Sequence, residues 1–191
     1  MKPRGGTETQ MEQVSAETAD LEVLSPAGGA VRLGSLWASR PALLVLVRHY
    51  GCQFCRAQLA DLRPVWGQIE AAGVQPIVIG NGTPLMAEAF AEETGLAVPL
   101  YTNPGREVYA ALGAKRPGAG ALLNPLMYWR AFRLMLRGFL PKQVQGDAAQ
   151  LGGVFLVQPD GSMPYAYRSD LAGDHPSPDE LLRVVGAGER V

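Results

Sequence analysis

Residues 42–50 read ALLVLVRHY and run straight into GCQFCR, so a nearly continuous apolar stretch hands over to two cysteines three positions apart. This junction constrains the fold more than any other part of the chain. An apolar run without alternation fits a strand buried on both faces of a parallel sheet, which needs helices on both sides. Beyond Cys52 the spacing turns helical to about residue 72. Cys55, Leu59, Leu62, Trp66 and Ile69 follow one another at steps of four, three, four and three, a single apolar stripe aimed at a core.

The same alternation continues along the chain. Residues 21–33 read as two short strands around a Pro-Ala-Gly-Gly turn, 74–82 as a strand, 83–95 as a helix opened by Thr-Pro and closed by Gly, 97–102 as a strand and 104–113 as a short helix. Late in the chain, GGVFLVQPDGSMPYAYRS signals a β-hairpin, and SPDELLRVVGAG a final helix with Ser177 as cap, Pro178 in the first turn and Glu180 three residues on. The expected class is α/β, with a mixed, mainly parallel central sheet flanked by helices. Residues 1–19 read as a mobile tail and 20–191 as one domain, with 114–150 an insertion before the hairpin.

Size and charge narrow the function classes. A chain of 191 residues, 47% hydrophobic, supports one well-formed core, and a net charge of −1 gives no basic face for nucleic acid. No stretch of about 18 residues is apolar and uncharged enough to span a membrane, and the amino terminus lacks a secretory apolar core. The expected compartment is therefore the cytoplasm, where a cysteine pair serves catalysis or metal binding more often than as a static staple.

Three chemistries remain open for Cys52 and Cys55. Zinc would need two more ligands, and the chain has only His49 and His175 to offer as histidines. A buried structural pair is a second reading. The third is a redox couple. Cys55 belongs to the apolar stripe, whereas Cys52 precedes it at the helix start, where unpaired N–H groups stabilise an anion. An exposed, acidified Cys52 would attack and a shielded Cys55 would resolve. A helix terminus supplies less than one pKa unit, about 0.3–1 kcal/mol, so further acidification must come from Arg48, Arg56 or a protonated His49.

The insertion carries Arg130, Arg133 and Arg137 on one helical face, with Leu126, Trp129, Phe132 and Leu136 mostly off it. The plainest expectation is a helix docked through its apolar side with a solvated arginine face. A cationic lid over the site, or a membrane-surface or partner contact through 125–140, are the alternatives. Arg168 alternates away from Tyr165 and Tyr167 and reads as a structural ion-pairing residue, and His175 as an organiser of the GDHPSP turn.

RHYGCQFCRAQLADL, VPLYTNPGREVYAALGAKR, QLGGVFLVQPDG and YAYRSDLAGDHPSPDELL together resemble the peroxiredoxin-like 2 branch of the alkyl hydroperoxide reductase and thiol-specific antioxidant superfamily, which includes selenoprotein U and prostamide/prostaglandin F synthase. The resemblance spans roughly residues 20–186. It implies a thioredoxin-like fold and a dithiol mechanism without metal or organic cofactor. Cys52 would attack a peroxide or disulfide, Cys55 would close the disulfide, and a thioredoxin-type or low-molecular-weight thiol donor would reset the pair.

The chain departs from typical peroxiredoxins at three places. Val45 and His49 stand where the Pro and Thr/Ser of the peroxidatic motif belong, and Gly152 where an arginine polarises the peroxide. Gly153 falls at the cis-proline position of thioredoxins. A lost preorganised donor costs about 10²–10³ in rate, so peroxidase chemistry would need Arg168, Arg48 or an insertion arginine as substitute. Two rival functions follow: reduction of a lipid hydroperoxide or endoperoxide, and a redox-regulated binding module with little turnover.

Overall fold

The structure, a computed structural model, describes residues 12–117 and 125–188. Its core is a seven-stranded sheet. β2 (Glu22–Leu24) and β3 (Ala30–Arg32) form the expected hairpin at one edge. β4 (Ala42–Leu46), β5 (Gln75–Gly80) and β6 (Leu100–Thr102) are the parallel centre. β7 (Gly153–Val157) and β9 (Tyr165–Arg168) close the other edge antiparallel, in the order β3-β2-β6-β5-β4-β7-β9. Every residue of β4 is buried, as its unbroken apolar sequence requires.

Alternation along β4 feeds two cores. Leu43, Val45 and Val47 face a cluster that holds both cysteines, and Leu44 and Leu46 face the other. On the cysteine side lie α2 (Gln53–Leu62), α3 (Trp66–Ala71), α4 (Pro84–Thr94) and α7 (Pro178–Gly188), which contribute Leu59, Ile69, Phe90 and Leu181. On the opposite side α5 (Glu107–Ala111) supplies Val108 and Tyr109, beside Leu33 and Leu36 of a 3₁₀ turn. Cys55, Leu59, Leu62, Trp66 and Ile69 are all buried, so the stripe faces inward. Its helix is not continuous. Pro64 cannot donate to the preceding turn, and Arg63–Val65 form a 3₁₀ link between α2 and α3.

The caps follow the sequence closely. Thr83 Oγ1 accepts from Met86 N–H, Pro84 opens α4, and Gly95 ends it in the left-handed region at φ 56°. Ser177 Oγ accepts from Glu180 N–H at 3.2 Å at the start of α7.

Two expectations about the chain's organisation change. Residues 12–19 belong to the fold and not to a mobile tail. β1 (Glu12–Gln13) pairs with β8 (Ser162–Met163), and α1 (Ala16–Ala19) is capped by Ser15. The physical reason is a second anchor: Glu12 forms an ion pair with Arg168. Residues 1–11 of that tail, like 118–124 of the insertion, lie outside the described residues.

The second change concerns α6 (Pro125–Leu136), which packs beside α2 with its expected faces exchanged. Met127, Ala131 and Leu134 touch the core, Arg137 pairs with Asp61 of α2, and Arg130 Nη1 lies 3.4 Å from the Gly173 carbonyl. Trp129, Phe132 and Leu136 point outward. The side chain of Leu126 lies outside the described residues. Of the arginine stripe, Arg130 is half-buried against the body, Arg137 pairs with Asp61 while staying exposed, and Arg133 is exposed. The buried face is therefore Met127, Ala131 and Leu134 and not the expected Trp129, Phe132 and Leu136.

Candidate active site

β4 delivers the chain to Arg48 at the carboxyl end of the central sheet, and Cys52 is the N-cap of α2. One turn later Cys55 faces the core. Both cysteines are free thiols.

Arg48 ties the two sulfurs together. Its backbone N–H donates to Cys55 Sγ at 3.3 Å, its Nη1 lies 3.6 Å from Cys52 Sγ, and its Nη2 donates to the Ala148 carbonyl at 2.6 Å. Its Nε is buried with no hydrogen-bond partner among the described residues. The Cys52 thiol is drawn down to about 6. A hydrogen bond from the Cys55 thiol contributes most, burial opposes it, and the Arg48 charge and the N–H groups of Cys55 and Phe54 assist. Cys55 moves the other way, well above the ordinary thiol range, because it donates to Cys52, is buried and faces that sulfur's negative charge. The pair is therefore split into an acidic sulfur and a proton-holding one.

The other candidate residues fare differently. His49 is buried, its Nδ1 lacks a partner among the described residues, and burial together with the Arg48 charge pushes its pKa to about 4. It is neutral near pH 7, so a protonated His49 does not acidify Cys52. Arg56 turns from the sulfurs to Glu93, which Lys142 Nζ also reaches at 2.7 Å. Arg168 lies on the opposite sheet face. Its Nε donates to the Leu112 carbonyl at 2.8 Å, it pairs with Glu12, and its guanidinium sits 5.5 Å from the Phe155 ring centroid. It cannot polarise a peroxide at Cys52. Among the described residues no three His, Cys, Asp or Glu side chains come together as a metal site.

The expected exposure of Cys52 is also overturned: it is 4% exposed, the same as Cys55. Residues 142–148, downstream of α6, form a strap on the residues just before Cys52, where Arg48 also donates to the Ala148 carbonyl. Lys142 N–H donates to the Gly51 carbonyl at 3.3 Å and Tyr50 N–H to the Gln145 carbonyl at 3.1 Å. The approach is so close that a Cβ on Gly51 would sit 1.9 Å from the Gln143 carbonyl oxygen. Asp147 anchors the strap, pairing with Arg106 and Arg116 while its N–H donates to Asn81 Oδ1 at 2.9 Å. The sequence held one signal for this anchor: Asp147 is the only acidic residue between 114 and 150.

Gly152 has a physical reason to lack a side chain. A Cβ there would lie 2.0 Å from the Leu46 carbonyl oxygen, so an arginine at this position does not fit the backbone packing. A hollow of about 20 Å³, enough for one water-sized group, touches Arg48, Cys55, Gln58, Gly152 and His175. It borders Cys55 and not Cys52. A larger groove of about 220 Å³ runs along α2, with Leu59, Trp66, Leu96 and Phe139 in its walls and Arg56 and Arg63 beside them.

Known proteins resemble this chain. The profile of a family described as AhpC/TSA antioxidant enzyme matches residues 61–170, a stretch that begins after the two cysteines. Human peroxiredoxin-like 2C is 32% identical over 189 residues, covering 92% of this chain and 81% of that protein. Prostamide/prostaglandin F synthase of Pongo abelii is 28% identical over 171 residues, covering 86% of this chain and 84% of that one. Among solved structures, peroxiredoxin Q of Xanthomonas campestris superposes with a TM-score of 0.66 at 19% identity, covering 96% of this chain and 99% of that one, which establishes the common fold.

Proposed function

The chain belongs to the AhpC/TSA antioxidant enzyme family, in its peroxiredoxin-like 2 branch, and on that premise we propose that it is a dithiol oxidoreductase in which Cys52 attacks and Cys55 resolves. The observation that carries the reading is the opposed polarity of the two sulfurs around Arg48.

With a disulfide acceptor, the Cys52 thiolate attacks one sulfur, the acceptor's S–S bond breaks, and the departing thiolate takes up a proton. Cys55, as it loses its proton, then attacks the mixed disulfide and releases the second thiol. With a peroxide, the Cys52 thiolate attacks the distal oxygen, the O–O bond breaks, the leaving alkoxide or hydroxide is protonated, and the transferred oxygen leaves Cys52 as a sulfenic acid. Cys55 displaces water from it to give the Cys52–Cys55 disulfide. Two electrons from a thioredoxin-type or low-molecular-weight thiol, in a reducing cytoplasm, restore the pair.

Among the described residues, Arg48 is the one guanidinium with a hydrogen bond to the attacking sulfur, with Nη1 beside it and Nε without a partner there. It stabilises the thiolate and is the candidate donor to a peroxide oxygen. Arg56 and Arg168 take no direct part, since each is engaged elsewhere. A second reading, a bulky apolar hydroperoxide as acceptor, would draw on the groove along α2, whose walls hold Leu59, Trp66 and Phe139 but neither cysteine.

Stopped-flow fluorescence of Trp66, which is buried on the cysteine side, tests the proposal with hydrogen peroxide, cumene hydroperoxide and a small disulfide. Disulfide exchange is expected to outrun hydrogen peroxide reduction, and each phase is expected to vanish in Cys52→Ser. Phases that persist in that variant would refute the assignment. Cumene hydroperoxide as the fastest acceptor would select the apolar-peroxide reading.

A further inference from the structure

The faces of α6 leave an unusual surface. Trp129, Phe132 and Leu136 recur at i, i+3 and i+7 and are 58%, 50% and 73% exposed. Trp129 and Phe132 stack at 6.1 Å between ring centroids, and Tyr128 and Met135 flank them. The apolar character continues past the helix through exposed Leu140 and Val144. A contiguous exposed aromatic and aliphatic surface of this kind marks an interaction site.

Charge selects its occupant. Residues 125–146 carry Arg130, Arg133, Arg137 and Lys142 and not one Asp or Glu, in a chain whose overall net charge is −1. Arg137 and Lys142 reach back to Asp61 and Glu93 yet remain about half exposed, at 51% and 48% of their side-chain surface. Arg133 is exposed on the helix itself. An outward row of Trp, Phe and Leu on a segment that carries cations and no acid of its own is what an interfacial helix presents to lipid: rings at the headgroup level, basic side chains such as Arg133 at the anionic phosphates. At 12 residues α6 is about 18 Å long, too short to cross a bilayer but long enough to lie on one. A second copy of the chain fits less well, because face-to-face pairing would set two acid-free basic segments against each other.

We infer that the outward face of α6, from Tyr128 to Leu136 and on through Leu140, docks on membrane surfaces rich in anionic lipid. Arg130 and Arg137 hold the helix on the body, and Trp129 and Phe132 enter the headgroup region. The same segment continues into the strap on Tyr50 and Gly51, so the docked surface and the backbone packed beside the Cys52 loop are one stretch of chain.

The test uses the reduced full-length protein with vesicles of phosphatidylcholine, with or without phosphatidylglycerol. Trp37 and Trp66 are buried at 4% and 5% exposure, so a blue shift and quenching by brominated lipid report Trp129. Cosedimentation with the anionic vesicles is expected, weakening as salt rises. The double variant Trp129→Ser/Phe132→Ser is expected to lose binding by tenfold or more. Arg133→Glu is expected to lose roughly 20- to 30-fold, from two charge steps of about fivefold each. Unchanged circular dichroism and Cys52 alkylation verify the variants' fold. Equal affinity for neutral and anionic vesicles, or no binding to either, would overturn the inference. So would a concentration-dependent dimer abolished by the Trp129/Phe132 substitutions, which would assign the face to self-association.

Discussion

In α2 the apolar residues Cys55, Leu59 and Leu62 turn inward. In α6, packed beside it, Trp129, Phe132 and Leu136 turn outward while Arg130 and Arg137 turn toward the body. The difference lies in what each helix lands on. α2 covers the apolar face of β4, where Leu43, Val45 and Val47 offer nothing to a charge. α6 sets Met127, Ala131 and Leu134 on the edge of that core, beside a polar margin where Asp61 of α2 and the Gly173 carbonyl accept from arginine. Hydrophobic periodicity gives a helix its faces, but the surface it meets decides which one is buried.

Stability measurements can break this comparison. Leu62→Ala, inside the α2 stripe, is expected to lower the unfolding free energy by about 2–5 kcal/mol, whereas Trp129→Ser on α6 should stay within about 0.5 kcal/mol. Urea titration of both variants decides it, and an equal loss would mean that Trp129 is packed after all.

Near the cysteines, burial should reveal itself through pH. His49 has a folded pKa of about 4 against the ordinary 6.5. Between those values the unfolded chain binds a proton that the folded one does not, so stability falls as pH drops from 6.5 to 4, by about 3 kcal/mol in full. His49→Gln is expected to remove this slope, which denaturation at a series of pH values would measure.

The acidity of Cys52 sharpens the account of the site. Its alkylation by iodoacetamide should show a midpoint near 6. Since the Cys55 thiol contributes most to that acidity and Arg48 less, Cys55→Ala should raise the midpoint further than Arg48→Gln. The reverse order would make Arg48 the dominant influence. A small effect belongs to the exposed ion pair: Arg137→Ala is expected to cost about 0.2–1 kcal/mol, read in the same urea titrations.

The sequence carried the sheet well because β4, the α2 stripe and the caps at Thr83 and Ser177 are local patterns, each enforced by neighbours close in the chain. It also carried the cysteine junction. It did not carry the burial of Cys52, nor the strap on Tyr50 and Gly51 just before it, which comes from some ninety residues away and is held by Asp147, Asn81 and two arginines. Glycine at 51 has no period, and its meaning appears only when the Gln143 carbonyl is placed against it. Arg168 and Arg56 failed as site residues for a similar reason. Strand alternation put Arg168 on the far face, but only Glu12 and Glu93 explain what these two arginines hold.

The central claim is the division of labour between the two sulfurs. The most direct test is to mix 5,5′-dithiobis(2-nitrobenzoate) with reduced Cys55→Ser and, separately, Cys52→Ser near pH 7, and to follow by mass the mixed disulfide on the remaining thiol. Rapid trapping on Cys52 in the first variant, with a far slower reaction at Cys55 in the second, is the predicted result. Trapping on Cys55 as fast as on Cys52 would contradict it.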